Sequence, residues 1–289
     1  MSIVYLNGQY LPNTEARVSV DDRGFLFADG VYEVSPAYQG RLFRFDKHLE
    51  RITRGLSELR IAFNPSGLAG VHERLLGDNE LDDREVAYVY VQVTRGVAPR
   101  GHAFPDPAVN PTVYAFAREF KRPARAQWED GFAAITVPDR RWARVDVKTI
   151  GLLPNVLAQQ AAVEAGASDA LLVKDGIAIE GAHSNFFAVI GGTLVTHPTS
   201  NAILPGITRA YVLELARELE VPVEERAIQI EELWTADEAF FTGTTTEVRP
   251  TVKVDGRAIG KGRPGPVTRL LFEAFLDGVS RPAAAASAR

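Results

Sequence analysis

The sequence predicts an α+β protein built in two halves. Short β-branched or aromatic runs alternate with helical patterns without regular βαβ winding, and a polar stretch separates two pattern-rich regions. The 289 residues are also enough for one large or two modest domains with a buried core. Apolar residues make up 46% and charged residues 24%, the balance of an ordinary globular protein rather than a disordered or fibrous one. Lys and Arg number 32 against 37 Asp and Glu, a net charge of −5 with no basic run. The footprint of a nucleic-acid binder is therefore missing, and small molecules are the expected partners. The absence of cysteine excludes disulfides, thiolate metal sites and thiol nucleophiles. MSIVYLNGQYLP lacks the pattern of a targeting segment, and no apolar run approaches the roughly 18 residues a membrane span needs. The expectation is a cytoplasmic protein with no membrane partner.

In chain order, Tyr32 to Tyr38 and Arg41 to Arg44 flank Gln39-Gly40 as a hairpin. Asp46 is expected to cap a helix reaching Arg60, with Leu49, Ile52, Leu56 and Leu59 at helical spacing. Tyr88 to Arg95 and Thr112 to Ala117 are β-rich strands. The Gly/Pro-rich stretch from Gly96 to Pro111 between them is too long for a tight turn and is a functional-loop candidate. FKRPARAQ, residues 120–127, is polar and is the expected linker between domains 1–119 and 128–280. Beyond it the pattern predicts a strand over 131–137, a helix over 155–165, short strands between 170 and 195, and a helix from Thr208. Strands over 239–242 and 251–254 and a helix over 267–276 follow, and residues 281–289 form a tail expected to be disordered.

Several motifs are excluded. GRAIGKG, residues 256–262, is one residue short of a phosphate loop and lacks the hydroxyl after Lys261, so it reads as a hairpin turn. The five histidines show no H-x-x-x-H pairing, so no metal site is expected. Two other segments cluster small residues and hydroxyls where backbone N–H groups can converge on an anion. Leu204-Pro205-Gly206-Ile207-Thr208-Arg209 opens a helix, whose N-terminal amides attract a dianion. Thr242-Gly243-Thr244-Thr245-Thr246-Glu247 follows an apolar run and presents hydroxyls at a strand end. Each alone reads as an ordinary helix start or strand-to-loop junction; together they point to a phosphorylated cofactor. Lys148 lies in the largely apolar RVDVKTIGLL, where an ammonium is poorly placed unless its amine serves as a nucleophile toward an aldehyde. By itself it also reads as an exposed strand lysine. Glu180 closes the apolar run Ile177-Ala178-Ile179 and precedes a polar turn that can wall a pocket.

Four ordered segments resemble the fold-type IV pyridoxal-phosphate aminotransferases: Val147-Lys148-Thr149 with Leu152-Leu153-x-Asn155, Glu180-Gly181-x-x-Ser184-Asn185, Leu204-x-Gly206-Ile207-Thr208-Arg209, and residues 242–247. The resemblance covers all but the tail. It implies an N-terminal α/β sandwich-like domain, a C-terminal pseudo-barrel, a homodimer, and pyridoxal 5'-phosphate at the domain boundary. By that likeness Lys148 forms the Schiff base, Glu180 pairs with the pyridine nitrogen and Leu204 packs on the ring. Arg51, Ile207, Thr208 and Thr244 hold the phosphate, and Gly206 and Gly243 complete the cofactor-binding set.

Within the family, Gly30-Val31-Tyr32-Glu33-Val34 and the segment Arg95 to Pro105 resemble the D-amino-acid transaminases. There the residues matching Tyr32, Arg100 and His102 trap the substrate α-carboxylate, the last two from the neighbouring subunit. The implied reaction is ping-pong: a D-amino acid gives up its amino group, a 2-oxo acid leaves, and a second 2-oxo acid takes the group. Lys148 moves only the Cα proton pointing toward its cofactor face, and the carboxylate trap fixes which way the rest of the substrate lies, so together they set the hand that reacts. Branched-chain L-amino-acid transaminases, R-selective amine transaminases, aminodeoxychorismate lyases and a silent phosphometabolite-binding protein are the alternatives. Three positions depart from the pattern. His183 replaces a small hydroxyl residue, where it crowds the side-chain pocket or adds a hydrogen bond. Gly243 replaces a serine, leaving backbone N–H groups as phosphate donors, and Pro205 stiffens the loop before the helix.

Overall fold

The computed structural model describes residues 2–281. Apart from Arg281, the tail expected over 281–289 lies outside the described residues. The chain divides into two compact units, one of Met1–Arg122 with Val147–Leu152, the other of Pro123–Asp146 with Leu153–Arg289. The six residues around Lys148 thus cluster with the N-terminal unit, although the chain on either side of them belongs to the other.

The first unit contains β1 (Ile3–Leu6), β2 (Gln9–Pro12), α1 (Arg23–Phe27), β3 (Gly30–Tyr38), β4 (Arg41–Leu42), α2 (Phe45–Glu58), α3 (Leu68–Asp78), β5 (Val86–Thr94) and β6 (Thr112–Glu119). Its six-stranded sheet runs β2-β1-β6-β5-β3-β4. Side chains alternate faces along each strand. Val89, Val91 and Val93 of β5 cluster with Val31, Ala115 and Ala117 and with Ile52 and Leu56 of α2 and Leu75 of α3. Each buried Val, Ile or Leu side chain here contributes about 1.5–3 kcal/mol. The other face carries aromatics, with Tyr32 stacked on Tyr90 at 5.5 Å and Tyr90 on Phe116 at 5.1 Å.

The hairpin expected at Gln39-Gly40 is present, with Tyr38 opposite Arg41 and positive φ values of 50° and 74° at the two turn residues. Asp46 does not cap α2. Arg44 adopts the left-handed conformation and the helix starts at Phe45, which puts Asp46 inside the first turn, beside the positive end of the helix dipole. The β1/β2 hairpin, α1 and α3 were not placed from sequence. The apolar spacing of Leu68, Val71, Leu75 and Leu76, all buried, is the signal for α3.

The second unit contains α4 (Arg125–Asp130), β7 (Phe132–Pro138), α5 (Leu153–Glu164), β8 (Asp169–Lys174), β9 (Ile177–Gly181), β10 (Asn185–Ile190) and β11 (Thr193–Thr196). It continues through α6 (Ile207–Glu218), β12 (Val223–Glu225), β13 (Ile228–Gln229), α7 (Ile230–Leu233), β14 (Glu238–Gly243), β15 (Glu247–Val254), β16 (Arg257–Ala258) and α8 (Pro266–Ser280). Its mixed ten-stranded sheet, the curled sheet of the pseudo-barrel, runs β12-β11-β10-β14-β15-β7-β8-β9-β13, with β16 hairpinned onto β15. Residues 120–127 are not purely linker, because α4 begins at Arg125. The Trp128 indole drives this: it is buried, donates Nε1–H to the Val248 carbonyl at 2.9 Å and stacks on Phe272 of α8 at 4.1 Å.

β10 and β14 pair antiparallel with Phe186 opposite Phe241 and Phe187 opposite Phe240, rings 5.1 and 4.9 Å apart. Both faces of this pair are buried, which is why the two strands read as continuous apolar runs. Replacing Phe240, which is fully buried, with Ala is expected to lower the unfolding free energy by roughly 3–5 kcal/mol. A fall in the urea unfolding midpoint with unchanged slope checks it.

Candidate active site

The end of β3 near Gly30 lies beyond the reach of the short β4, and the segment at Lys148 fills that edge. Thr149 bridges Val31, Tyr32 N–H donates to the Lys148 carbonyl at 3.0 Å, and Ile150 N–H donates to the Gly30 carbonyl at 3.1 Å. Val147 packs into the core of the first unit, so the segment is fixed by its side chain as well as its backbone. Lys148 Nζ then donates to the Tyr32 hydroxyl at 3.1 Å and lies 4.1 Å from the centre of the Tyr32 ring.

Glu33 points to the opposite face of β3 from Tyr32, toward α2. Its carboxylate is buried and accepts Arg51 Nε–H at 2.9 Å, Arg51 Nη2–H at 2.6 Å and His48 Nδ1–H at 3.0 Å. Burial pushes Glu33 up, but the Arg51 charge and hydrogen bonds, helped by His48, hold the carboxyl well below its ordinary 4.5. Burial holds His48 below its usual value, against the hydrogen bond to Glu33. Arg51, expected on a phosphate, is thus oriented from beneath by a carboxylate, a partner the sequence reading did not supply.

In the second unit Glu180 is the penultimate residue of β9 and is buried. It accepts from Arg141 Nη1–H, from Asn185 Nδ2–H at 2.7 Å and from the Leu204 N–H at 3.3 Å to each oxygen. Burial raises this carboxyl to about 7, against the lowering effect of the Arg141 charge and hydrogen bond. Arg141 is itself gripped by Asp139 through Nε–H at 2.9 Å and Nη2–H at 2.8 Å. Sequence reasoning missed Arg141 and Asp139. Arg140-Arg141 follows a predicted strand, but nothing in its spacing singles out one arginine.

The residues of the Glu180 motif each have a physical task. A Cβ at Gly181 would come 2.1 Å from Ser184 Oγ, so no side chain fits there. Ser184 Oγ–H donates to Asp169 at 2.6 Å, and Asn155 Nδ2–H donates to the Ala182 carbonyl at 2.7 Å, fixing the turn. Asn185 also donates to the Leu204 carbonyl at 2.9 Å, which ties the 204–206 loop to Glu180.

The donor set fits a phosphorylated pyridine. Gly206 is the extended N-cap of α6 and makes no side-chain cap hydrogen bond, so Ile207 and Thr208 open a helix whose first amides suit an anion. The helix starts one residue before the expected Thr208. Thr242 Oγ1 is buried with no protein partner, while Gly243 and Thr244 beside it are half-buried. His183 is exposed in the turn between β9 and β10.

Arg100 and His102 are exposed on the loop after β5. The single chain does not bring them to Tyr32; both lie against Phe27, with Arg100 Cζ 5.1 Å and the His102 ring centre 5.6 Å from its ring. His72 is a core histidine that burial lowers to about 4, its Nδ1–H donating to the Leu68 carbonyl at 2.7 Å. Among the described residues no group of three or more His, Cys, Asp or Glu side chains could hold a metal ion, and no helix is long and apolar enough to cross a membrane.

Comparison with known proteins agrees with this architecture. Residues 30–254 match the family of class IV amino-transferases. D-alanine aminotransferase of Staphylococcus haemolyticus is 42% identical over 277 residues, spanning 95% of this chain and 97% of the relative. D-alanine aminotransferase of Bacillus licheniformis is 40% identical over 278 residues, spanning 96% of each. Among solved structures, the T.th. branched-chain amino acid aminotransferase with pyridoxamine 5'-phosphate superimposes with a TM-score of 0.86 at 30% identity, covering 97% of this chain and 95% of that one. An Escherichia coli branched-chain amino acid aminotransferase gives 0.86 at 28%, covering 96% and 93%. The chain therefore belongs to the class IV aminotransferases and has their fold, fold type IV.

The Glu33 brace has a pH signature. A carboxyl depressed on folding contributes stability that is complete above its unfolded value near 4.5 and is lost as pH falls below it. Glu33→Gln, which leaves Arg51 without its buried counter-charge, is expected to cost roughly 3–5 kcal/mol near neutral pH. Urea unfolding from pH 7 down to pH 3 checks both points: the wild type should weaken as acid is added, and the variant should do so less steeply.

Proposed function

We propose that this enzyme is a pyridoxal-phosphate-dependent D-amino-acid transaminase, moving the amino group of a D-amino acid such as D-alanine to a 2-oxo acid in a ping-pong sequence. The observation that carries the catalytic assignment is the Lys148 Nζ contact with the Tyr32 hydroxyl at 3.1 Å. When bound, pyridoxal phosphate supplies an aldehyde carbon that takes the amine and a ring that accepts electrons from the substrate Cα. Lys148 would anchor the cofactor through Nζ, and its free amine would be the base that takes the substrate Cα proton and the acid that gives it back on the same side.

The Tyr32 hydroxyl orients Nζ, and Tyr90, stacked on Tyr32, holds that ring in place. Glu180 pairs with the pyridine nitrogen and favours its protonated form, and Leu204 packs on the ring. The amides opening α6 at Ile207 and Thr208, the Gly206 and Gly243 backbone, Thr244 and Arg51 hold the phosphate dianion. Tyr32, Arg100 and His102 receive the substrate carboxylate. The D-alanine aminotransferases at 42% and 40% identity support the choice of substrate hand.

The active form is proposed to be a cytoplasmic homodimer in which the loop after β5 delivers Arg100 and His102 to the other subunit. Their exposure in the single chain supports that reading. The branched-chain aminotransferases that share the fold define the counter-reading, an L-amino-acid enzyme.

Two experiments test these assignments. Purified enzyme given D-alanine and 2-oxoglutarate is expected to form pyruvate; no pyruvate, with L-leucine converted instead, overturns the substrate assignment and leaves the cofactor chemistry standing. Borohydride reduction followed by peptide mapping is expected to place a pyridoxyl group on Lys148, and Lys148→Ala to lower turnover by about 10²–10⁴-fold. An adduct at any other lysine rules out Lys148 as the anchor.

A further inference from the structure

A carboxylate receptor works only if its donors are held to within a fraction of an ångström of the productive position. Arg100 and His102 sit on an exposed irregular loop, which by itself holds nothing in place. What holds them is α1. The backbone is stitched at the start of the loop, where Arg23 N–H donates to the Gly96 carbonyl at 2.9 Å and Asp22 bridges Val97. Asp22 also caps the helix, accepting Gly24 N–H at 2.8 Å and the Thr94 hydroxyl at 3.1 Å.

The Arg23 side chain, buried, donates Nη1–H to the Gly101 carbonyl at 2.6 Å and to the Ala103 carbonyl at 3.2 Å. These two carbonyls bracket His102. The other side of the same guanidinium is fixed by Asp29, which accepts Nε–H at 2.8 Å. Asp29 also accepts Arg95 Nε–H at 2.7 Å and Nη2–H at 2.9 Å, and Arg95 reaches on to the Leu59 and Arg60 carbonyls at the end of α2, 2.7 and 3.0 Å away. Burial works to raise Asp29, yet the hydrogen bonds from Arg95 and then Arg23 hold it below its ordinary value, so the clamp keeps its charge.

Phe27, one helical turn on from Arg23, forms the plate above this clamp. Its ring lies 4.8 Å from Arg23 Cζ, 5.1 Å from Arg100 Cζ and 5.6 Å from the His102 ring centre. Arg100 thus lies over the Phe27 ring, and the His102 ring meets the same ring at a 51° tilt, an arrangement favourable for a guanidinium.

We propose that α1 is the platform that positions the carboxylate trap, with Arg23 and Phe27 as its positioning residues. The proposal rests on the reading of Arg100 and His102 as carboxylate donors. Neither positioning residue touches substrate: Arg23 sets the path of the backbone around His102, and Phe27 sets the direction of Arg100. Their loss therefore acts on substrate capture rather than on proton transfer at Lys148.

The test uses holoenzyme variants Phe27→Leu, Arg23→Gln, Arg100→Ala and the double variant Phe27→Leu with Arg100→Ala. Phe27→Leu removes a half-buried ring and leaves the buried ion pairs intact, so the proposal remains testable if Arg23→Gln fails to fold. KM for D-alanine is expected to rise about tenfold in Phe27→Leu and in Arg23→Gln, with kcat within about threefold of wild type. In the Arg100→Ala background, Phe27→Leu should add less than about threefold, because its effect is routed through Arg100. A raised KM in Arg100→Ala with unchanged KM in Phe27→Leu overturns the platform alone, as does a full multiplicative effect in the double variant. An unchanged KM in Arg100→Ala overturns the carboxylate trap and the platform with it.

Discussion

The arrangement of the first unit depends on one edge of one strand. Because β4 covers only the far end of β3, the backbone of Tyr32 is left with a hydrogen bond to make, and the Lys148 segment makes it. That pairing places an ε-amine over a tyrosine hydroxyl and simultaneously fixes which face of β3 each side chain occupies. Tyr32 meets Lys148, and Glu33, one residue on, meets Arg51 and His48. A slip of one residue would exchange the two faces, presenting a carboxylate to the lysine and a phenol to the buried arginine. The nine-residue register between β3 and β5 guards against that slip.

The second unit solves a different problem, holding an acid where water cannot reach it. Glu180 sits at a strand end with Arg141, Asn185 and the Leu204 amide around it, and burial still raises its carboxyl to about 7. Under the proposed assignment a positively charged pyridine nitrogen completes this environment and favours the ionised form. Asp139, by occupying Arg141 from the other side, keeps that arginine from neutralising Glu180 as a simple bidentate pair. Buried polar networks of this kind are strict in their demands, and here Gly181, Ser184 and Asn155 meet them by shaping the turn that carries Asn185.

The two arrangements divide their labour by rigidity. Lys148 and Glu180 are held by strands, whereas Arg100 and His102 ride on a loop braced from beneath by a short helix.

Much of the core was legible from local pattern: the strands at Tyr88 and Thr112 and the helix around Ile52 follow from period-two and period-3.6 spacing, which the backbone imposes. Lys148, Glu180, Gly206 and Thr208 stood out locally as an apolar run broken by a charge or a glycine before a helix, but only the ordered resemblance of four segments singled them out as site candidates. The partners of those residues were not legible. Asp29 with Arg23 and Arg95, Asp139 with Arg141 and Glu180, and Glu33 with Arg51 are ion pairs whose members lie up to 66 residues apart. Among so many charged residues no spacing marks which will meet. The sequence by itself determined the strands, the helices and the local segments on which the candidate residues stand; which carboxylate orients which arginine, and which strand edge receives the lysine, was decided only by tertiary packing, since burial is what makes one particular pairing obligatory.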